Sequence, residues 1–248
     1  MGLDDSIVDI NRISEAGPPG GFWPVVFVAG CNLRCPYCIN ATIAAPPSGT
    51  KYLPLDEVIK TLDSWGEEGV MISGGEPLAN PDIVEIVAKL GEKRKVGVST
   101  NGSYPLVLDK LLVPGGVSYV AMDFKFSPVC ENVSGKIRII GGDQKSFCQN
   151  QIGCAMRIGA WLARNPDMGA EFRMTLYPNL VDENDVKYVA SEAHIDHARL
   201  VLQQYRQNKM FDDKHNEVKP YTEEEVSRLK AVAEEASLGK VEVTVRWP

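Results

Sequence analysis

The chain has 248 residues, of which 44% are hydrophobic and 24% charged, a composition typical of a folded globular protein. Its formal net charge of −7 argues against a surface that binds nucleic acid. The longest apolar stretch, residues 22–30, contains a proline and is too short to span a membrane. No secretion signal is recognisable at the N-terminus, so we expect a cytoplasmic protein with no membrane partner.

Short β-prone runs alternate with longer amphipathic runs from residue 22 onward. The predicted strands are 22–29, 70–73, 95–100, 117–124, 170–177, 198–204 and 241–246. The predicted helices are 55–68, 81–93, 105–112, 151–164, 182–193 and 223–236, with Asp56 and Asp182 as N-caps and Gly91 as a helix stop. This alternation predicts βαβ units. We therefore expect an α/β fold with parallel strands, a partial (β/α)6 barrel similar to a TIM barrel.

The sequence contains no internal repeat, low-complexity tract or linker, so we predict a single domain over 1–248 with its core at about 22–206. The first 20 residues are predicted to form an N-terminal arm. The connection 127–150 is too long for a tight βα loop, and we interpret it as an insertion or lid. In parallel βα architectures the chemistry lies at the C-terminal ends of strands, so motifs that follow predicted strands are candidates for the site.

Three cysteines follow the first predicted strand with the spacing Cys-x3-Cys-x2-Cys, at Cys31, Cys35 and Cys38. Three thiolates so close together can hold three corners of one iron–sulfur cube and leave one iron open to another ligand. Two other interpretations stay open at this point: Cys35 and Cys38 as a redox dithiol, or as half of a zinc site. Against these, the three histidines of the chain lack zinc spacing, and a dithiol gives Cys31 no role.

With Tyr37 in the aromatic position, this loop resembles the signature of the radical S-adenosylmethionine (SAM) enzymes. The resemblance implies a [4Fe–4S] cluster with the three cysteines as its metal ligands, and an open iron that binds the amino and carboxylate groups of SAM. It also implies reductive cleavage of SAM to methionine and a 5′-deoxyadenosyl radical, which takes a hydrogen atom from the substrate. Tyr37 would then lie near the adenine of SAM.

The run Gly74-Gly75-Glu76-Pro77 follows the second predicted strand. Glycines allow close approach of the backbone to a ligand, and Glu76 can accept hydrogen bonds from an ammonium group. By resemblance this run is the Gly-Gly-Glu-Pro motif of the family, which binds the methionine amino group of SAM.

Further polar residues follow the later strands. The resemblance assigns contacts with SAM to Thr100 and Asn101, after the third strand. Asp123 and Lys125 end the fourth strand, and because they are two residues apart they point to the same face. This pair resembles the one in glycyl-radical-enzyme activating enzymes, where it contacts SAM, so Lys125 is also a candidate catalytic residue. We expect two residues of later strands to face the same cavity and bind SAM, Arg173 and Gln204.

The other cysteines, Cys130, Cys148 and Cys154, match no cluster spacing and are interpreted as ordinary thiols rather than ligands of a second cluster.

The resemblance implies an enzyme that abstracts hydrogen from a glycine of a partner glycyl radical enzyme, of the anaerobic ribonucleotide reductase activator type. It also implies a flavodoxin- or ferredoxin-like reductant. Two alternatives stay open. One is a radical SAM enzyme for a small molecule, such as a 7-carboxy-7-deazaguanine synthase. The other is an electron-transfer or glutaredoxin-like redox protein.

Overall fold

A computed structural model describes residues 6–12, 17–19, 21–127, 137–192, 198–207 and 217–247. The chain forms two compact units. The first comprises Met1–Asn32, Asn40–Thr100 and Leu106–Val120, and the second comprises Leu33–Ile39, Asn101–Pro105 and Ala121–Pro248. The single domain expected from the sequence stays a prediction.

The strands are β1 (Ile7–Asn11), β2 (Val25–Val28), β3 (Leu33–Arg34), β4 (Gly69–Gly74), β5 (Lys95–Thr100), β6 (Tyr119–Phe124), β7 (Arg138–Ile139), β8 (Gly169–Leu176), β9 (Arg199–Gln204) and β10 (Glu242–Arg246). The helices are α1 (Ala41–Ala44), α2 (Leu55–Trp65), α3 (Ile83–Gly91), α4 (Pro105–Leu111), α5 (Gln144–Arg164), α6 (Glu183–Glu192) and α7 (Glu223–Ala236). A 3₁₀ turn covers Pro77–Ala79. No helix in the described part of the chain is long and apolar enough to cross a membrane.

The first unit is organised around β2, β4 and β5, which pair in parallel in that order. The centre of β4, Val70 to Ile72, is fully buried, as expected for a parallel strand covered on both faces. Helix α3 buries Ile83, Ile86, Val87 and Leu90, a spacing that forms one apolar stripe.

In the second unit β8, β9 and β10 pair in parallel, and the short strands β3 and β7 pair with each other in antiparallel fashion. Helices α6 and α7 pack together, and α7 also packs on β10. A capping box fixes the start of α7, because Thr222 and Glu225 exchange side-chain to backbone hydrogen bonds.

The seven predicted strands correspond to β2, β4, β5, β6, β8, β9 and β10, and the α/β fold with mostly parallel strands is confirmed. The predicted N-terminal arm contains β1, a strand that the sequence did not predict and that pairs antiparallel with β2. Ile7 of this strand is completely buried. A five-residue strand whose partner is supplied by tertiary structure leaves only a weak pattern in the sequence.

Helix α5 begins at Gln144 rather than at residue 151, so the end of the predicted insertion 127–150 is helical. Its N-cap is Asp143, whose carboxylate accepts a hydrogen bond from the Ser146 backbone N–H at 3.0 Å. Residues 128–136 of that connection lie outside the described part of the chain.

Two of the three predicted helix boundaries are confirmed. Asp182 accepts hydrogen bonds from the backbone N–H groups of Asn184 and Asp185 at 2.8 and 3.0 Å, and Gly91 is the last residue of α3. The N-cap at Asp56 was wrong, because α2 begins at Leu55 and Asp56 lies in its first turn. An acidic residue is favourable there as well, since it faces the positive end of the helix dipole.

One buried carboxylate links the three parallel strands of the second unit. Glu171 of β8 is completely buried and forms ion pairs with Arg173, with Arg199 of β9 at 2.7 Å and with Arg246 of β10 at 3.2 Å. Burial raises the pKa of Glu171, but the guanidinium groups of the three arginines outweigh this effect and lower that pKa to about 2.

We expect Glu171→Gln to lower the free energy of unfolding by about 3–5 kcal/mol at neutral pH, because three partly buried cations lose their carboxylate. The pKa of Glu171 is depressed, so this contribution is complete above its unfolded pKa of about 4.3 and is lost as the pH falls toward the folded value of about 2. Urea denaturation of both proteins across this range measures the difference. The control is Glu242→Gln, at an exposed position of β10. A loss of unfolding free energy in Glu171→Gln that does not change with pH would contradict the lowered pKa of Glu171.

Candidate active site

The Gly-Gly-Glu-Pro run lies against the backbone that leads into the cysteine loop, within the first unit. The N–H of Gly75 donates to the carbonyl of Val28 at 2.9 Å, and the N–H of Glu76 donates to the carbonyl of Gly30 at 2.8 Å. A Cβ atom at Gly75 would lie 2.0 Å from the Gly30 oxygen, closer than any side chain allows. Glycine is therefore required here by contact between two main chains, directly before Cys31.

Glu76 and Thr100 come together at the ends of the neighbouring strands β4 and β5. The Glu76 side chain is 1% exposed, and its Oε1 accepts hydrogen bonds from the Thr100 hydroxyl at 2.8 Å and from the Leu78 N–H at 3.0 Å. Pro77 is buried at the start of the 3₁₀ turn. The motif therefore places a buried carboxylate and a hydroxyl side by side at the carboxyl end of the parallel strands.

Asn40 also holds this turn, although no motif in the sequence pointed to it. Its side-chain amide donates a hydrogen bond to the carbonyl of Gly74 at 3.1 Å. A lone asparagine after the third cysteine gives no signal of its own, because its partner is 34 residues away along the chain.

In the second unit, Asp123 and Lys125 form an ion pair at the end of β6, with Lys125 Nζ 2.7 Å from Asp123 Oδ2. Burial lowers the pKa of Lys125, but the charge of Asp123 and the neighbouring Tyr37 and Cys35 outweigh it, so the pKa is raised well above its ordinary value. Lys125 is thus a cation at neutral pH. The structure brings it close to two residues of the cysteine loop.

Tyr37 is buried among aromatic rings next to this ion pair. Its ring centroid lies 5.2 Å from that of Tyr177, which in turn lies 4.9 Å from that of Tyr205. Burial raises the pKa of Tyr37, as do the nearby Cys35 and Cys38, so its hydroxyl stays protonated. This hydroxyl is buried and has no hydrogen-bond partner among the described residues. A buried donor without a partner marks a place where a ligand or water completes the site.

Three other residues were predicted to bind SAM, and their described contacts are with other residues of the chain. Arg173 binds Glu171, and the Gln204 amide donates to the carbonyl of Tyr221. Asn101 is buried, and its Oδ1 accepts a hydrogen bond from the Ser103 N–H at 3.0 Å. Contact of these residues with SAM therefore stays a prediction.

The cysteines fall into two groups. Cys31, Cys35, Cys38 and Cys154 are in no disulfide, which confirms the interpretation of Cys154 as a thiol. Cys148 is buried and disulfide-bonded, so its interpretation as a thiol was wrong. Spacing along a sequence does not show which sulfur atoms meet in space. Cys130 lies outside the described residues.

In the described part of the chain, no three histidine, cysteine or acidic side chains are placed to hold a single metal ion.

The segment that carries most of these residues matches a known family. Residues 25–127 match the family model described as the Radical SAM superfamily. This segment therefore resembles a radical SAM domain. It includes the cysteine loop, the Gly-Gly-Glu-Pro run, Thr100, Asn101 and the Asp123–Lys125 pair. The resemblance inferred from the cysteine loop is confirmed.

One curated relative resembles nearly the whole chain. The protein named "Putative glycyl-radical enzyme activating enzyme" of Methanocaldococcus jannaschii is 27% identical over 235 residues, which cover 93% of this chain and 91% of the relative.

Three solved structures of two proteins share the fold. SuiB of Streptococcus suis bound to S-adenosylmethionine has a TM-score of 0.59 at 15% identity and covers 88% of this chain, which spans about half the length of SuiB (48%). SuiB bound to the precursor peptide SuiA gives the same TM-score, 0.59. QueE from Escherichia coli has a TM-score of 0.53 at 12% identity and covers 97% of this chain and 93% of its own.

That the cysteine loop holds the cluster which this family implies stays a prediction, and the chemistry of its donors is what favours it. Soft thiolates are the ligands that iron–sulfur clusters take, and Cys31, Cys35 and Cys38 are all outside disulfides. The loop supplies three thiolates rather than four, which suits a cluster with one iron open to SAM.

We expect Tyr37→Phe to raise the free energy of unfolding of the cofactor-free protein by about 1 kcal/mol, because it removes a buried hydroxyl that lacks a partner. Tyr221→Phe is the matched control. The Tyr221 hydroxyl donates to the carbonyl of Val181 at 2.9 Å, so this change should lower the free energy of unfolding by about 1 kcal/mol. Urea denaturation measures both. An equal loss of unfolding free energy in the two variants would show that the Tyr37 hydroxyl already has a hydrogen-bond partner.

Proposed function

We propose that this protein is a radical SAM enzyme that activates a glycyl radical enzyme. The observation that carries the proposal is the likeness to the Methanocaldococcus jannaschii relative, because it covers 93% of this chain and 91% of that protein. The matched radical SAM segment covers only residues 25–127, so this likeness extends through the later strands as well.

The proposal gives separate roles to the three cysteines, to the residues that bind SAM and to the Asp123–Lys125 pair. Cys31, Cys35 and Cys38 would hold a [4Fe–4S] cluster, which supplies the electron for reductive cleavage of SAM when it is bound. Glu76 and Thr100, which are adjacent at strand ends, would bind SAM, as would Tyr37 of the cysteine loop, whose buried hydroxyl has no described partner.

The Asp123–Lys125 pair suits a ligand that carries charges of both signs. Lys125 is held as a cation and can bind a carboxylate, while Asp123 can accept a hydrogen bond from an ammonium or hydroxyl group. The methionine end of SAM carries both an ammonium and a carboxylate. Because the two side chains form an ion pair with each other, neither charge is left isolated in this partly buried place.

The substrate in this proposal is a glycine in a loop of a partner protein, and the electron comes from a flavodoxin- or ferredoxin-like donor. Support for a protein substrate comes from the name of the Methanocaldococcus jannaschii relative and from SuiB, a fold neighbour that has been solved with a precursor peptide. Residue roles are not transferred from SuiB, which shares only 14% identity with this chain in that complex.

Release of 5′-deoxyadenosine tests the first half of the proposal. We expect the anaerobically reconstituted, dithionite-reduced protein to contain about four iron atoms per chain and to release 5′-deoxyadenosine from SAM. Cys35→Ala should lose most of the iron and all of the release, whereas Val113→Ala, at an exposed side chain, should keep both. Wild-type protein with full iron that releases none, with or without a partner, would contradict radical SAM activity.

Deuterium transfer tests the second half. Candidate glycyl radical enzymes from the same genome are prepared with glycine deuterated at Cα and incubated with the protein and SAM. We expect a SAM-dependent organic radical in the electron paramagnetic resonance spectrum and deuterium in the released 5′-deoxyadenosine. Release of unlabelled 5′-deoxyadenosine without a protein radical would overturn this function in favour of a small-molecule substrate.

A further inference from the structure

The loop that follows β5 is held by one face of helix α5. Three consecutive carbonyl groups of this loop each accept a hydrogen bond from a side chain of the helix. The pairs are Asn150 Nδ2 to Ser103 O at 2.9 Å, Gln151 Nε2 to Asn101 O at 3.0 Å and Cys154 Sγ to Gly102 O at 3.3 Å. All of these residues belong to the second unit. The loop carries Asn101, a candidate SAM ligand, so its conformation depends on α5.

Gln151 has the central place in this arrangement. Its Nε2 donates a second hydrogen bond, to the carbonyl of Asp123 at 3.0 Å, and the residue is completely buried. Only the NH₂ group of the amide can donate to two carbonyl oxygens, so the orientation of the side chain is fixed by its chemistry. One amide group therefore ties the loop after β5 to the end of β6.

The packing of the loop against α5 leaves little room for another conformation. Gly102 has a φ of 76°, and a Cβ atom there would lie 2.6 Å from Met122 Cε and 3.3 Å from Gln151 Cγ. The Asn101 side chain forms a local turn, because its Oδ1 accepts a hydrogen bond from the Ser103 N–H at 3.0 Å. The loop is thus determined both by hydrogen bonds from the helix and by close packing.

We propose that Gln151 is a positioning residue for SAM binding. It holds the two backbone segments that carry Asn101 and Asp123 at one fixed distance from each other, so that both side chains reach the same ligand. This inference rests on the proposed function, which assigns these two residues to SAM. Positioning groups matter because small displacements of binding residues cost much of the affinity and rate that preorganisation provides.

The test replaces Gln151 with methionine, which has a similar length but no donor. Two measurements follow. Amide hydrogen exchange of the cofactor-free protein should show faster exchange at Ser103, whose N–H is bonded within the loop. Equilibrium binding of SAM to the reconstituted protein should weaken by roughly tenfold, with kcat at saturating SAM changed much less.

Ile158→Val is the matched control, because Ile158 is completely buried in the same helix and has no polar group. It should lower the thermal stability of the protein without changing Ser103 exchange or SAM affinity. If Gln151→Met does not fold, Asn150→Ala removes a hydrogen bond to the same loop from a less buried position and should weaken SAM binding in the same direction.

The outcomes separate this inference from the proposed function. Wild-type affinity and unchanged Ser103 exchange in Gln151→Met would overturn the positioning role, as would an equal loss of SAM affinity in Ile158→Val. If the wild-type protein itself does not bind SAM, the proposed function fails, and Ser103 exchange alone still decides whether Gln151 holds the loop.

Discussion

The close approach of two main chains beside Cys31 is the constraint on which the rest of the first unit's site depends. Gly75 passes so near Gly30 that no side chain can stand at this position, and two backbone hydrogen bonds join the segments. The cysteine loop therefore starts from a fixed point rather than from a loose connection. Glu76 follows directly, and its carboxylate accepts a hydrogen bond from Thr100, so this backbone contact also places the carboxylate and the hydroxyl.

The second unit relies on electrostatics and side-chain hydrogen bonds where the first relies on backbone contact. Lys125 and Asp123 neutralise each other in a partly buried place, and Gln151 holds the backbone of Asp123 through a neutral amide. Such groups are stable only when each charge or donor has its partner, because unpaired polar groups are costly in a low dielectric. Two polar atoms of this region depart from the rule among the described residues, the hydroxyl of Tyr37 and the Oε1 atom of Gln151.

Much of the fold and of the motif residues could be predicted because their signals are local. Strands such as 95–100 show up as short β-prone runs, and the spacing of Cys31, Cys35 and Cys38 reflects the reach of a single loop. Three features could not be predicted. Strand β1 forms because it pairs with β2. The role of Gln151 depends on hydrogen-bond partners 28 and 50 residues away, and the disulfide at Cys148 depends on which sulfur atom lies near it in the fold. Tertiary contacts of this kind leave no periodicity in the sequence.

The disulfide at Cys148 lies in α5, one helical turn before Gln151. Radical SAM chemistry requires strong reductants, and thiol–disulfide equilibria respond to the same reducing conditions. Preparations handled in air and preparations kept fully reduced can thus differ in covalent structure within the helix that holds the loop of Asn101. Under the proposed function, comparisons of SAM affinity between them measure the covalent state of α5 together with that of any bound cluster.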